Sequence, residues 1–279
     1  MDPRNVLIEA ASAYDNGGWY QLLSESKKIR NETKSWTVQN EFYLLFAELN
    51  IAGRAPLSKK RLIEMQNQLR KLLQNIPKEE CIPETIPAPL VVTLTRYIQG
   101  HLGTRAAIQF LDEIAGLVVK KDMDSPEFLA ALSIEKATLS PENTSAETIA
   151  ELKKIISTNG YQETTQALAF YSLANLAISE GAYPEALNLL NQGLAKIDYL
   201  KAPSLVKVLL LRTKGLAYEH LKNLEQADRY YLESMKASTE TTPEGAPRAL
   251  WNQHQKELIK KSFLKNNKHT KLLQQLQQM

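Results

Sequence analysis

Residues 215–238, GLAYEHLKNLEQADRYYLESMKAS, carry small and aromatic side chains at fixed offsets across two consecutive helical patterns. The first pattern contains Gly215 and Tyr218, and the second contains Ala227 and Tyr231. Small residues are required where two helices approach closely, and larger side chains then fill the wedge beside the contact. We therefore expect two antiparallel helices that meet at Gly215 and Ala227 and are flanked by the two tyrosines.

The rest of the chain also favours helices. It has 279 residues, of which 43% are hydrophobic and only 11 are glycine, and good helix formers dominate it. Alternation of β-branched residues, which would indicate strands, is almost absent. Short antiparallel helix pairs cannot bury their apolar faces alone, so stacked pairs are the expected arrangement.

Apolar periodicity, N-caps and Gly or Pro stops predict where the helices lie. In the N-terminal part they cover residues 6–14, 19–30, 36–51 and 59–76, the last capped by Ser58. Further on they form pairs, 90–101 with 105–120, 126–139 with 146–157, 162–179 with 184–198 and 204–221 with 224–237. One more helix follows Pro247, and a polar, Gln-rich tail ends the chain.

The second half resembles the tetratricopeptide repeat (TPR) family. Gly215, Tyr218, Ala227, Tyr231 and Ser234 match, in order, the small, Tyr, Ala, aromatic and small positions of the family pattern. The preceding pair supplies Ala174, Ala186, Leu190 and Gly193 and departs from the pattern at Ala177, where Tyr is expected. Upstream, Tyr97, Ala106 and Phe110 keep the spacing. The alanine anchors at 106, 146, 186 and 227 lie about 40 residues apart, whereas a TPR is usually about 34 residues long and HEAT-like repeats about 40–47. TPR-like pairs with longer connections and a related α-solenoid therefore both fit this spacing.

The resemblance implies an all-α fold of antiparallel helix pairs, stacked as a TPR-like right-handed α-solenoid with a divergent helical N-terminal region. We expect a divergent N-terminal helical region at 1–76 and a proline-rich connection at 77–89. TPR-like helix pairs follow at 90–246, and a C-terminal capping helix and polar tail at 247–279. The prolines between Pro77 and Pro89 exclude a continuous helix, but a connection packed on the helices and a free linker both fit the sequence.

The same resemblance implies a non-catalytic protein–protein interaction scaffold: an adaptor, assembly factor, secretion chaperone or subunit of a complex. Family members hold a peptide or helix in a concave groove formed by the first helices of the pairs. Carried onto this chain, the groove positions include Leu168 and Leu209, and the predicted partner-binding residues are Tyr171, Asn175, Ile178, Arg212, Leu216 and Glu219. Asn175 and Arg212 suit a carboxylate or a peptide backbone, although they also fit ordinary solvated helix positions.

A second class of function follows from charge. Residues 54–78 hold seven basic side chains against one acidic, and residues 256–271 hold six lysines against Glu257. Such segments suit RNA or an anionic membrane. No aromatic stacking platform is interleaved with them, so solvated helix faces explain them equally well.

Motifs for chemistry are missing from the sequence. The four histidines lie far apart, no phosphate loop or metalloprotease motif occurs, and Cys81 lies beside Glu79 and Glu80, which disfavours a thiolate. We therefore expect no catalytic residues, no metal and no cofactor. The N-terminus lacks a signal-peptide pattern and no run is long enough to cross a membrane, which predicts a cytoplasmic protein, with non-classical secretion left open.

Overall fold

A computed structural model describes residues 24, 27–28, 37–52, 57–77, 86, 88–121, 125–141, 144–198 and 205–241. The regular structure within these ranges is entirely α-helical, without a β-strand. The longer helices, in chain order, are α1 (Val38–Ala52), α2 (Lys59–Asn75), α3 (Ala88–Leu102), α4 (Thr104–Lys120), α5 (Pro126–Leu139), α6 (Ala146–Ser157), α7 (Glu163–Ser179), α8 (Tyr183–Ile197), α9 (Leu205–His220) and α10 (Leu224–Thr241). The predicted helix 6–14, the helix after Pro247 and Cys81 lie outside the described residues.

Local sequence signals place these helices well. Helices α5 and α6 begin and end where the pattern predicts, and α10 runs four residues beyond its predicted end. The Ser58 hydroxyl accepts a hydrogen bond from the Arg61 amide at 3.2 Å, and the Ser125 hydroxyl accepts one from the Phe128 amide at 3.0 Å. Each hydroxyl satisfies one of the backbone donors that a helix N-terminus leaves free, which explains why the helices begin there.

The chain divides into two compact units, residues 1–139 and 140–279. In the first unit, α1–α5 surround one apolar core that includes Phe42 and Leu45 of α1, Leu69 of α2, Leu94 of α3 and Phe110 of α4. Helices before and after the proline-rich connection therefore share a core. The four domain ranges predicted from the sequence stay predictions, and the unit boundary at Leu139 assigns the predicted partners α5 and α6 to different units.

Two bidentate ion pairs link helices of the first unit. The Arg70 guanidinium donates to Glu113 of α4 at 2.8 and 2.9 Å. The Arg96 guanidinium donates twice at 2.9 Å to the buried carboxylate of Glu135, which joins α3 to α5. Paired donors satisfy both carboxylate oxygens, and this makes burial of Glu135 tolerable.

In the second unit, each helix from α6 to α10 packs against the next, and the pairs α7–α8 and α9–α10 make the most extensive contacts. Helix α7 also contacts α9, so the first helices of the two consecutive pairs are neighbours. This is the arrangement of a TPR-like fold, and it confirms the predicted all-α class.

The small residues of the repeat pattern lie in tightly packed surroundings, and Gly215 faces the Tyr231 ring, whereas the predicted meeting point was Gly215 with Ala227. A Cβ atom added to Gly215 would come within 2.8 Å of the Tyr231 ring, and Ala227 is fully buried. A Cβ atom on Gly193 would lie 3.0 Å from Leu210 and 3.1 Å from Phe170. At Gly215 the Tyr231 ring occupies the space of a Cβ atom, and at Gly193 a Cβ atom would fit only if the neighbouring side chains shifted slightly.

Candidate partner-binding surfaces

Helix α7 carries three of the predicted partner-binding residues. Tyr171 is only 9% exposed and belongs to an apolar core with Ala174 and Leu190, so most of its surface serves packing. Asn175 is half-buried, and its side-chain amide donates to the Tyr171 carbonyl at 3.0 Å. Ile178, also half-buried, packs against the edge of the same core.

Helix α9 carries the other three, Arg212, Leu216 and Glu219, all half-buried. Their spacing of four and three residues puts them on one face of the helix. The Glu219 carboxylate accepts a hydrogen bond from the Tyr231 hydroxyl at 2.8 Å, which ties it to α10. Glu219 is thus a partner of the repeat tyrosine, a contact that the sequence did not indicate.

The surroundings of the Tyr231 phenol shift its pKa. Burial raises the pKa of Tyr231 well above its ordinary value, and the hydrogen bond to the Glu219 carboxylate raises it further, while the positive charge of Arg212 lowers it in part. Arg212 of α9 therefore lies close enough to the Tyr231 phenol of α10 to act on it electrostatically. One end of the predicted surface is therefore held in place by the packing between α9 and α10.

The structure brings the α7 and α9 residues onto neighbouring helices. Ile178 of α7 and Leu209 of α9 both pack on the core that contains Tyr171. We call the set of half-buried residues Asn175, Ile178, Arg212, Leu216 and Glu219 on these two helices the α7–α9 surface. It combines two apolar side chains with an amide, a cation and a carboxylate.

A second feature lies on the other side of α9. Helices α8, α9 and α10 line an open cleft of about 420 Å³, which we call the basic cleft. On α9 its lining residues Lys207, Leu211 and Lys214 point roughly 140° away from the α7–α9 surface, given 3.6 residues per turn. Residues from the other two helices complete the lining: Leu194, Asp198, Arg229, Tyr230, Glu233, Lys236 and Ala237.

Charged and aromatic groups converge in the basic cleft. The Lys214 ammonium lies 4.0 Å from the centre of the Tyr230 ring, and that ring stacks on Tyr218 with 5.4 Å between ring centres. Lys207 approaches Asp198 at 3.8 Å, and the Arg229 guanidinium donates to Glu233 at 2.9 Å. Four cationic side chains thus line the cleft with two carboxylates.

The preceding helix pair has no such charge at the equivalent positions. Ala186 and Ala227 are 41 residues apart, and the same interval pairs Leu173 with Lys214, Asn188 with Arg229 and Ala195 with Lys236. Lys214 is as buried as Leu173, at 7% and 5% exposure. Sequence reasoning did not single out Lys214, although the TPR pattern expects Leu directly before the small residue, and a lysine there was the signal.

The N-terminal basic segment is partly neutralised. Arg61 pairs with Glu48 and Glu64, and Arg70 pairs with Glu113, while Lys59 and Lys60 are exposed. Ion pairing of this kind reduces the charge available to a phosphate backbone. Lys260, Lys261 and Lys265 lie outside the described residues, so binding of RNA or an anionic membrane stays a prediction.

Neither a cluster of metal-ligating side chains nor a membrane-spanning helix is found in the described part of the chain. No three His, Cys, Asp or Glu residues come together there. None of the described helices is both long and apolar enough to cross a bilayer.

Comparison with known proteins bears on the fold alone. No family model and no curated protein matches the chain. Among solved structures, the fold resembles the apo form of the quorum sensor NprR from B. thuringiensis, with a TM-score of 0.56 and 14% sequence identity. The match covers 95% of this chain and 74% of that one. It supports a TPR-like helical architecture.

Proposed function

We propose that this protein is a non-catalytic binding scaffold that holds a peptide or helix of another protein against the α7–α9 surface. Apolar burial at Ile178 and Leu216 supplies affinity, and the polar groups of Asn175, Arg212 and Glu219 set the register of the partner. An adaptor, an assembly factor, a secretion chaperone and a subunit of a complex all work in this way.

The observation that carries the proposal is the contact between α7 and α9. It joins the first helices of two consecutive pairs, so a partner that contacts the half-buried side chains of both helices would bury more surface than a single helix offers. A surface that mixes apolar and polar groups on rigid helices suits an amphipathic partner, because little conformational entropy is lost on the scaffold side.

The structural relative gives independent support. NprR is described as a quorum sensor, and the matched structure is its apo form. A quorum sensor must detect a signalling molecule, so this type of helical fold is compatible with ligand recognition. The 14% identity leaves the nature of any ligand of this chain to experiment.

Affinity purification with crosslinking from the native cell would identify the partner and the contacted face together. We expect crosslinks at α7 and α9, and we expect Arg212→Glu and Leu216→Asp each to weaken binding by about 1 kcal/mol or more. Lys153→Glu on α6 is the matched charge-reversal control, because Lys153 is exposed and far in sequence from the α7–α9 surface.

The choice of variants follows from burial. Tyr171→Ala is unsuitable because it would empty a core position, so a loss of binding would only report unfolding. If a partner is found and neither Arg212→Glu nor Leu216→Asp alters its affinity, the α7–α9 surface is the wrong assignment.

A further inference from the structure

Lys214 is a largely buried residue whose ammonium group makes no ion pair with a carboxylate in the described part of the chain. The residue is 7% exposed, and its ammonium faces the Tyr230 ring at 4.0 Å. The ammonium lines an open cleft, so an anionic group can reach it, and the aromatic face compensates its charge only in part. The basic cleft therefore contains a cation that lacks an anionic partner among the described residues.

Other cationic side chains add to the positive electrostatic potential of the cleft. Arg229 and Lys236 of α10 and Lys207 of α9 line the cleft beside Lys214, against the carboxylates of Asp198 and Glu233. The lining residues thus carry a net positive charge, concentrated in about 420 Å³ bounded by three helices. Cations on low-dielectric walls attract a small anionic group more strongly than the same cations on an open surface.

We propose that the basic cleft binds a carboxylate side chain from an acidic peptide segment of a partner protein. This site goes beyond the α7–α9 surface and does not depend on it, because it lies on the opposite side of α9. The Lys214 ammonium and the Arg229 guanidinium supply charge-assisted hydrogen bonds, and Leu194 and Leu211 supply an apolar wall for the remainder of the peptide.

Two alternative occupants fit less well. A nucleic-acid strand gains much of its affinity from bases that stack on aromatic rings, and the aromatic ring in the cleft lining, Tyr230, already stacks on Tyr218 and faces Lys214. The chain's own residues 242–279 contain seven Lys or Arg and only two acidic residues, so they share the sign of the cleft. An acidic peptide is the class of ligand with complementary charge.

The test is fluorescence anisotropy with the full chain and a labelled oligoglutamate peptide at low salt, with oligoglutamine of the same length as the uncharged probe. We expect oligoglutamate to bind and oligoglutamine not to bind. Lys214→Leu should weaken binding about tenfold, the usual loss when a charge-assisted hydrogen bond is removed. This variant installs the residue of the preceding pair, so the helix packing should tolerate it.

Lys153→Leu on α6 removes the same charge from an exposed site and should leave the affinity unchanged. Circular dichroism checks that each variant is folded. If Lys214→Leu unfolds the chain, Arg229→Gln is measured in its place, because Arg229 is exposed and its replacement should not disturb the core. Equal binding of the two peptides, or an unchanged affinity in the folded cleft variant, would overturn the proposal. So would a single-stranded oligonucleotide that binds more tightly than oligoglutamate and displaces it.

Discussion

The helix pairs α7–α8 and α9–α10 occupy the same repeat positions but fill them with different side chains. The first pair combines Ala174 with Leu190, whereas the second combines Gly215 with Tyr231, at the same interval of 41 residues. A larger side chain on the second helix is matched by a smaller one on the first. The comparison teaches that the repeat pattern conserves the combined volume at the contact, not the identity of either residue.

The two pairs also differ in how the larger side chain is held. Leu190 is fully buried among apolar neighbours, while Tyr231 is 6% exposed and donates its hydroxyl hydrogen bond to Glu219. In the second pair the Ser234 hydroxyl also donates to the Val208 carbonyl at 3.0 Å. Packing alone holds the first contact, and packing with hydrogen bonds holds the second.

Truncation of the larger side chain should give the largest effect in both pairs. We expect Tyr231→Ala to lower the free energy of unfolding by about 4 kcal/mol and Leu190→Ala by about 3 kcal/mol, through lost burial and the cavity that remains. Hydrogen exchange of the backbone amides in α7–α10 measures this locally. Leu221→Ala is the control, because Leu221 is 42% exposed and its truncation should cost under about 0.5 kcal/mol. Equal losses at Leu221 and Leu190 would contradict the core assignment.

Replacement of Gly215 should either lower or raise the stability of the protein, depending on which side chain occupies position 231. Gly215→Ala should destabilise the wild-type chain by about 1 kcal/mol, because overpacking against the Tyr231 ring outweighs the better helix propensity of Ala. In the Tyr231→Leu background, which copies the first pair, the same change should stabilise by up to about 1 kcal/mol.

A double-mutant cycle followed by hydrogen exchange tests this reversal. Gly116→Ala on α4 is the matched control, because its Cβ would meet nothing within 4 Å, and it should stabilise in either background. Additivity of Gly215→Ala and Tyr231→Leu would show that the two residues do not share one volume.

Removal of only the Tyr231 hydroxyl should have the smallest effect. Tyr231→Phe should cost about 1 kcal/mol near neutral pH, the usual net value of one hydrogen bond. The folded state holds the phenol proton more tightly than the unfolded state, since the pKa of Tyr231 is raised on folding. The unfolded chain therefore loses this proton first as pH rises past about 10, and the wild-type stability falls.

The stability advantage of wild type over Tyr231→Phe should consequently shrink above about pH 10. Urea unfolding of both chains from neutral to alkaline pH measures the difference between their free energies of unfolding. The titration of groups that the two chains share cancels in this difference. A difference that grows with alkalinity would contradict a raised pKa for Tyr231.

Much of the helical layout was predictable, and the site was predictable only in part. Ser58 and Ser125 mark helix starts because a cap is a local interaction of residues three apart. The position of Arg212 and Leu216 on one half-buried face of α9 follows from helical periodicity. Tyr171 was predicted as a partner-binding residue, yet most of its surface is covered by packing with neighbouring helices, and periodicity along α7 does not report on those neighbours.

By itself, the sequence determined the helix bounds to within a few residues and the small and aromatic positions between α9 and α10, because caps, periodicity and residue size act over one or two turns or between adjacent helices. The contact between Gly215 and the Tyr231 ring came from the structure. Only the tertiary structure showed that Glu219 accepts from Tyr231 and that one core spans both sides of the proline-rich connection. It also decided that Lys214 enters a cleft formed with α8 and α10. The shared core depends on which distant segments pack together, and the contacts of Glu219 and Lys214 depend on how polar side chains are placed between helices, which neither caps nor apolar periodicity reports.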